Sequence, residues 1–406
     1  MLCMSSALTT LDRDSSMDSQ SSAELGSTRV ILVRHGQSTF NAQGRYQGRS
    51  DESVLTAKGY QSAYQTGVAL QRIPIDAIYT SPLQRALETT QEIIKGIDPQ
   101  NKSLLKFNIN SNLTEIDLPA WQGKTFEYVR HSFAAEYKCW QQRPHEFQMN
   151  SPNENSGYHH HVATALKQSF PVLNLYEQAQ QFWQILPRHL GQTILVVSHG
   201  GTNRALISSA LNLSPAQYHT IQQSNCGISI LNFPANSQSA QLRGLNLTSH
   251  LGEVLPKLKA GKQGLRLLLL PIDAIASNQV QHLAEFLKQV SIDFSLTSEL
   301  CISQEITAHL LQNHPTTVQL QVSRHNFPLI WQQTIDSRRS SMSANTLVTG
   351  LVIASSAVIK CILGQILGLN PHDFWRLQLN SGDLSVVHYP LGNSVPISQA
   401  INLFDV

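Results

Sequence analysis

Two histidines each follow a short apolar run that predicts a buried strand: His35 follows the run 29–33, and His199 follows the run 194–197. Ligands of open α/β sheets bind at the carboxyl ends of the strands, so we expect the two turns to meet in one pocket. Arg34 adds a fixed positive charge beside the first histidine. Imidazole and guanidinium groups together suit an anion, and phosphate is the simplest candidate.

Helical and strand-like patterns alternate after the first strand. A helical pattern opens at 55–56, a second short strand is predicted over 75–79, and Ser81 and Pro82 are typical of the start of the next helix. That start places Arg85 in the first turn of the helix, at the edge of the sheet where His35 is expected. The alternation predicts an α/β fold with three layers, α/β/α, around a mostly parallel sheet.

Composition and charge restrict the class of protein. The 406 residues are 41% hydrophobic and 14% charged, which allows a full core and predicts two domains. The formal charge of +2 comes without long basic runs, so we expect no nucleic-acid partner. No apolar run reaches the length of about 18 residues that a membrane span needs, so we expect no membrane partner. The five cysteines are scattered without a C-x-x-C pair, which favours reduced thiols and a cytoplasmic location.

The sequence contains an internal repeat. Residues 195–234 align without a gap with residues 351–390, and residues 29–41 match 266–278. The second copy has neutral residues at the positions of the basic and imidazole groups: Arg34, His35, Arg85 and His199 correspond to Pro271, Ile272, Ile302 and Ser355. We therefore expect the second copy to be catalytically inactive, with a structural, interfacial or regulatory role.

An ordered set of motifs over about residues 29–234 resembles the histidine phosphatase superfamily, also called the phosphoglycerate mutase-like family. The motifs are R-H-G-Q-S at 34–38, Asn41, R-Y-Q-G at 45–48, L-T-A-K-G at 55–59, S-P-L-Q-R-A at 81–86, E-I-D at 115–117, W-Q-G at 121–123 and S-H-G-G at 198–201. R-H-G alone is a weak signal, whereas the whole ordered set is specific. One departure is Pro119 and Ala120, which stand where many members have a glycine. The resemblance extends to two-domain 2-carboxy-D-arabinitol 1-phosphate phosphatases of photosynthetic organisms and to cofactor-independent phosphoserine phosphatases.

The resemblance implies a role for each motif residue. His35 would be the nucleophile that forms a phosphohistidine. Glu115 would protonate the leaving alkoxide and then activate water. The remaining residues would bind the phosphoryl group. Arg34 and Arg85 would bind its oxygens, and His199 would donate a hydrogen bond to it while positively charged. Asn41 would also hydrogen-bond this group, and Gly200 would let backbone amides approach it at a helix N-terminus. No metal ion and no other cofactor is required.

Each assignment has a structural alternative. A histidine at the end of a strand is often a satisfied core residue, Arg85 has the spacing of a surface helix arginine, Glu115 that of an ordinary loop carboxylate, and Asn41 that of a turn cap. The combination of His35 and His199 with two arginines favours the catalytic interpretation of the first histidine.

The motifs and the repeat divide the chain into segments. We expect a disordered Ser-rich tail (1–28), an active histidine phosphatase domain (29–234) with a helical insertion over the pocket (123–190), a linker (235–264) and a degenerate copy (265–406). The basic residues of the insertion would either meet a carboxylated substrate or form a solvated helix face: His131, Lys138, Arg143 and His145. The histidine tract 159–161 is expected to be an exposed loop.

The expected function is metal-independent hydrolysis of a small-metabolite phosphomonoester through a phosphohistidine on His35. One alternative is phosphoryl transfer of the phosphoglycerate mutase type, and another is a regulatory or binding role dominated by the C-terminal copy. The expected partner is the small-molecule phosphomonoester. A homo-oligomer formed through the C-terminal domain is left open.

Overall fold

A computed structural model describes residues 26–100, 105–151, 167–235, 237, 239–273, 275–298, 301–323, 327–341, 346–391 and 395–404. The expected tail (1–28) lies almost wholly outside the described residues, and the histidine tract 159–161 lies entirely outside them. Within the described ranges, no helix combines the length and the apolar character that crossing a membrane requires.

The first half of the chain forms a six-stranded sheet. Its strands are β1 (Thr28–Arg34), β2 (Ala77–Thr80), β3 (Asn108–Ile109), β6 (Thr193–Ser198), β7 (Ile228–Phe233) and β8 (Gln241–Leu247). The order across the sheet is β3-β2-β6-β1-β7-β8. The first four strands run parallel, β7 pairs antiparallel with β1, and β8 pairs antiparallel with β7. A separate antiparallel pair is formed by β4 (Met149–Ser151) and β5 (Lys167–Ser169).

Helices cover both faces of this sheet. They are α1 (Thr39–Ala42), α2 (Ala57–Leu70), α3 (Gln84–Ile97), α4 (Phe126–Ser132), α5 (Ala134–Gln142), α6 (Pro171–Trp183) and α7 (Gly200–Ala210). The side chains of β1 alternate between two cores: Val30 and Leu32 join the core that contains α6 and α7, while Ile31 and Val33 join the core that contains α2 and α3. The predicted three-layer α/β/α architecture is therefore confirmed.

The second half repeats the same sheet. Its strands are β9 (Gly264–Pro271), β10 (Phe294–Ser298), β11 (Val318–Val322), β12 (Leu347–Ala354), β13 (Ser385–Pro390) and β14 (Ile397–Ala400). Its helices are α8 (Ser277–Leu287), α9 (Cys301–Leu310), α10 (Phe327–Ser341) and α11 (Ser356–Leu367). The order β11-β10-β12-β9-β13-β14 matches that of the first sheet strand for strand, which confirms the internal repeat.

The two sheets meet edge to edge at equivalent positions. Leu245 and Ile401 exchange backbone hydrogen bonds of 3.1 and 3.2 Å. Their neighbours Asn246 and Asn402 both have positive φ angles, of 51° and 53°. Each asparagine accepts a backbone N–H through Oδ1 within its own half and donates through Nδ2 to a carbonyl of the other half. The halves are therefore related by an approximate two-fold axis at this contact, as the subunits of a symmetric dimer are.

The connection between the halves is shorter than we expected. The segment 235–264 was expected to be a linker, but β8 lies within it and pairs with β7 in the first sheet. The expected boundary at 234 falls at the end of β7, because the apolar pattern of β8 follows a short polar turn that reads as a linker. The connecting segment proper is 248–263.

Candidate functional site

The two strand-end histidines lie side by side. β1 and β6 are parallel neighbours, with Arg34 opposite Ser198, so the turns that follow them meet at one edge of the sheet. The backbone N–H of His35 donates to the carbonyl of Ser198 at 2.8 Å. The His35 and His199 rings are 5.2 Å apart between centroids, and both residues are buried. The structure thus brings together the two histidines whose meeting the strand pattern predicts.

The His35 ring is fixed by one backbone hydrogen bond. Its Nδ1 lies 2.7 Å from the carbonyl oxygen of Gly36. Because a carbonyl can only accept, Nδ1 carries the proton and Nε2 keeps its lone pair. Burial lowers the pKa of His35 well below its ordinary value, and the charges of Arg85 and Arg34 lower it further. The ring is therefore neutral near pH 7 and has the form that a nucleophile needs.

The His199 ring contacts Ser81, which the sequence predicted to cap the next helix. Its Nε2 lies 2.7 Å from the hydroxyl of Ser81, which also accepts the N–H of Leu83 at 3.3 Å. We expected Ser81 to cap the next helix, but α3 begins two residues later, after Leu83. Arg85 nevertheless falls in the first turn, as expected.

The surroundings of His199 disfavour a positive charge on its ring. Burial lowers the pKa of His199 well below its ordinary value, with further lowering by Arg85, His35 and Arg34. These surroundings favour the neutral imidazole, and a positive charge on His199 beside a phosphoryl group stays a prediction. A dianion placed beside it would favour the protonated form.

Two arginines flank the histidines, of which Arg85 is buried and Arg34 partly buried. The Arg85 guanidinium donates from Nη1 to the carbonyl of Ser50 at 2.7 Å and from Nη2 to that of Gly48 at 2.9 Å. Arg34 donates from Nη1 to the carbonyl of Gln223 at 2.9 Å. Burial lowers the pKa of Arg34 to about 10 and also lowers that of Arg85, yet both remain charged at neutral pH.

Three buried nitrogens at this place find no hydrogen-bond partner among the described residues. They are Nε of Arg34, Nε of Arg85 and Nδ1 of His199. A buried polar group without a partner costs about 1–3 kcal/mol, and more when it is charged. An oxyanion with several acceptor oxygens would satisfy such donors and offset the positive charge. The donor set therefore fits a phosphoryl group.

Glu115 lies at the N-terminus of α7. Its Oε2 accepts the N–H of Gly201 at 3.2 Å, and its Oε1 accepts the N–H groups of Thr202 at 3.2 Å and Ile116 at 2.9 Å. We expected the backbone amides after Gly200 to face the anionic ligand. Those of the next two residues are instead engaged by Glu115, because its carboxylate satisfies the free donors of the helix end.

The glycine pair at the start of α7 makes room for two functional side chains. A Cβ on Gly200 would lie 3.2 Å from Nε of Arg34. A Cβ on Gly201 would collide with Oε1 of Glu115 and with the hydroxyl of Tyr218. The S-H-G-G motif is thus explained by the close approach of Arg34 on one side and Glu115 on the other.

Asn41 takes the capping role that we had left as its alternative. Its Oδ1 accepts the N–H of Ser38 at 3.3 Å, which completes a capping box at α1. The same Oδ1 accepts Nδ2 of Asn225 at 2.9 Å. A contact between Asn41 and the phosphoryl group stays a prediction.

Asn225 is a site residue that sequence reasoning missed. Its Nδ2 also donates to the carbonyls of His35 at 3.0 Å and Gly36 at 3.2 Å, so it ties the turn after β1 to Asn41. No motif marked it, because its position in the loop before β7 becomes meaningful only when β7 pairs with β1.

The sequence that forms this site matches the model of a known family. The model of the histidine phosphatase superfamily (branch 1) matches residues 30–246, which is more than half of the chain. The chain belongs to this superfamily. The predicted resemblance is therefore confirmed, and the match ends within β8, close to the end of the first sheet.

The first half of this histidine phosphatase chain is similar to several curated proteins. It is 37% identical over 205 residues to a 2-carboxy-D-arabinitol-1-phosphatase from Triticum aestivum, a match that covers 50% of this chain and 37% of the relative. It is 28% identical over 225 residues to phosphoserine phosphatase 1 from Hydrogenobacter thermophilus, covering 55% of this chain and 95% of the relative. It is 31% identical over 199 residues to a 2,3-bisphosphoglycerate-dependent phosphoglycerate mutase from Staphylococcus epidermidis, a match that covers 46% of this chain and 86% of the relative. The chain thus spans little more than a third of the length of the first of these relatives.

The second half of the histidine phosphatase chain is unsuited to a dianion. Ile272 is buried at the position of His35, and Ser355 takes the N-cap position of α11 that His199 takes in α7. The N–H of Ser356 donates to the carboxylate of Asp273, at 3.1 and 3.3 Å to its two oxygens. A carboxylate therefore occupies the helix end, and its negative charge would repel a second anion.

Three of the four basic residues of the insertion contact nearby groups of the insertion itself. Nη1 of Arg143 lies 3.3 Å from Glu146, and Nε2 of His145 lies 3.5 Å from the same carboxylate. His131 uses Nδ1 to contact the carbonyl of Glu127 one turn earlier on α4. These contacts do not decide between our two interpretations, because Arg143 and His145 lie beyond the end of α5.

Proposed function

We propose that the first half hydrolyses a small-metabolite phosphomonoester through a phosphohistidine on His35. The observation that carries the proposal is the hydrogen bond from Nδ1 of His35 to the carbonyl of Gly36, which leaves the Nε2 lone pair free. The unpartnered donors of Arg34, Arg85 and His199 support it, because they provide the positive environment that a transferred phosphoryl group needs.

In the first step, Nε2 of His35 attacks phosphorus and the ester oxygen leaves. The guanidinium groups of Arg34 and Arg85 bind the equatorial oxygens, and Nδ1 of His199 donates to the same group. The lone pair of Nε2 becomes the N–P bond while the P–O bond to the leaving group breaks. The leaving alkoxide takes a proton from the carboxyl group of Glu115.

In the second step, water hydrolyses the phosphohistidine. Glu115 now accepts a proton from the water, whose oxygen attacks phosphorus as the N–P bond breaks. Inorganic phosphate is released and His35 returns to its starting form. The backbone donors of Gly201 and Thr202 keep the Glu115 carboxylate at one place through both steps.

The positive charge in this scheme comes from the protein itself, so the proposal needs no metal ion. Arginine remains charged at all relevant pH values and presents a planar set of donors that matches phosphate oxygens. Treatment with EDTA is therefore expected to leave turnover unchanged. Loss of activity on chelation, restored by a divalent cation, would contradict this part of the proposal.

A second candidate is a mutase, which returns the phosphoryl group from His35 to another hydroxyl of the substrate. It is favoured by the similarity to the phosphoglycerate mutase of Staphylococcus epidermidis. A mutase must exclude water from the phosphorylated site, whereas a phosphatase admits it.

The test is a screen of phosphomonoesters with two readouts, release of inorganic phosphate and isomerisation of phosphoglycerate. Phosphoserine, the phosphoglycerates and sugar-acid phosphates form the panel, and the His35→Ala variant is the control. Phosphate release that the variant lacks supports the phosphatase. Isomerisation without phosphate release supports the mutase. Absence of both reactions would contradict both candidate functions.

A further inference from the structure

A cleft of ≈ 830 Å³ lies between the two halves, next to the catalytic turn. The first half contributes Gln37 and Asn225, which adjoin the turn of His35. The second half contributes residues of β9 and β12, among them Arg266 and Thr349. Residues 251–255 and 257–259 of the connecting segment also line it.

Lys259 extends from the connecting segment toward the catalytic residues. Its Nζ donates to the carbonyl of Gln223 at 2.7 Å, and this oxygen also accepts Nη1 of Arg34 at 2.9 Å. The Lys259 side chain is exposed and lines the cleft. Lys259 thus brings a second cation to the same acceptor as the arginine next to His35.

Both halves hold the segment that carries this lysine. The carbonyl of Lys257 accepts Nε2 of Gln222 at 3.0 Å and Nε2 of Gln399 at 3.4 Å. The carbonyl of Pro256 accepts Nη2 of Arg266 at 3.2 Å. The degenerate half therefore positions a residue of the active half, although it has lost its own cationic site.

The charges around Lys259 are unbalanced. The cleft is lined by four basic side chains, Lys58, Lys257, Lys259 and Arg266, and by one acidic side chain, Glu253. Glu253 forms an ion pair with Lys257, with 2.8 Å between Oε1 of the glutamate and Nζ of the lysine. Arg34 and Arg204 add further positive charge close to Lys259. Like charges held this close favour an anion between or beside them.

We propose that Lys259 is a substrate-binding residue of the active site, and that it binds a second anionic group of the phosphomonoester, on the side that opens into the cleft. This inference rests on the proposed function and names the substrate class: a phosphomonoester that also carries a carboxylate or a comparable anion. Lys259 lies beyond residues 30–246, so it is an addition to the part that matches the family model.

The test compares two substrates that differ only in the second anion, 3-phosphoglycerate and glycerol 3-phosphate. A hydrogen bond to a charged group contributes about 1.5–3 kcal/mol, so Lys259→Met should raise KM for 3-phosphoglycerate roughly 10- to 100-fold. KM for glycerol 3-phosphate and kcat for both substrates should change by less than about threefold, because the phosphoryl site is untouched. Lys259→Arg, which keeps the charge, should recover most of the loss.

Lys262→Met is the matched control, since this lysine is exposed on the same segment and does not line the cleft. The control should match the wild type, and melting temperatures should show that all variants fold. Equal losses for both substrates, or no loss for either, would overturn the role of Lys259.

Calorimetry separates failure of this inference from failure of the proposed function. If the wild type releases phosphate from neither compound, the proposed hydrolysis is wrong for this class, but binding of both compounds is still measured. Tighter binding of 3-phosphoglycerate than of glycerol 3-phosphate, lost in Lys259→Met, would support the lysine site even if neither compound is hydrolysed. Absence of such binding would overturn it.

Discussion

Ser81 and His199 share a buried hydrogen bond of 2.7 Å between Oγ and Nε2. When the hydroxyl donates to Nε2, the other ring nitrogen carries the proton and is a donor toward the phosphoryl group. Ser81 thus acts through His199, as a positioning residue.

Replacement of Ser81 by alanine is therefore expected to slow turnover with only a modest loss of stability, because Nε2 of His199 and the N–H of Leu83 lose a buried partner. Loss of one hydrogen bond, at about 0.5–1.5 kcal/mol, predicts a decrease in kcat of roughly 3- to 10-fold with KM little changed. Steady-state kinetics and thermal unfolding check this prediction together. A rise in KM alone, or a large drop in melting temperature with normal kcat, would argue that Ser81 is merely structural.

Glu115→Gln is expected to lower kcat by about 10²- to 10⁴-fold, because it removes the proton donor but keeps the shape of the side chain. Asp117→Asn is a matched control, since it removes the same charge two residues along the same loop. The two variants are compared by kcat on one substrate. A decrease below threefold for Glu115→Gln, or equal effects of both variants, would remove Glu115 from the proton-transfer step.

Two partly buried histidines predict how stability depends on pH. Burial lowers the pKa of His219 to about 3 and that of His250 to about 4, from an ordinary value of 6.5. Between these values and 6.5 the unfolded chain binds protons that the folded chain does not, so the free energy of unfolding decreases as the pH falls. Each such group contributes at most about 1.4 kcal/mol per pH unit.

Denaturant unfolding between pH 7 and pH 5 measures this slope. His219→Gln should flatten it, whereas His282→Gln, on an exposed part of α8, should leave it unchanged. An identical slope in the wild type and in His219→Gln would show that this histidine is not kept neutral by the fold.

The contact at Leu245 and Ile401 predicts the behaviour of the isolated first half. One apolar core contains side chains from both halves, so a chain that ends at residue 263 exposes Leu242 and Leu245. Because the contact lies on an approximate two-fold axis, we expect the truncated chain to dimerise through β8 or to lose stability. Light scattering and thermal unfolding measure both. A truncated monomer with an unchanged melting temperature would contradict a structural role for the second half.

The sequence predicted the parts of the site that lie on regular elements. His35, His199 and Arg85 follow strands or begin a helix, so the order of strands was enough to bring them to one edge. The repeat also predicted the second sheet, since its apolar pattern is preserved where its charges are not.

The remaining site residues depend on contacts between loops that are distant in the chain. Asn225 contacts the turn of His35 only after β7 pairs with β1, and Ser81 contacts His199 only after β2 pairs with β6. Lys259 reaches the carbonyl of Gln223 only where the connecting segment packs on the first half. The sequence also did not predict that the carboxylate of Glu115 accepts the amide N–H groups at the start of α7. A carboxylate and a phosphoryl oxygen are equally suited to a helix N-terminus, so the motif does not distinguish them.

The most direct test of the account is whether phosphate becomes attached to His35. Rapid quenching of the enzyme with ³²P-labelled substrate, followed by peptide mapping, is expected to give an acid-labile, base-stable label on the peptide that contains His35. The label should be absent from His35→Ala and present in Lys262→Met. A label on another residue, or rapid phosphate release with no label at all, would contradict nucleophilic attack by His35.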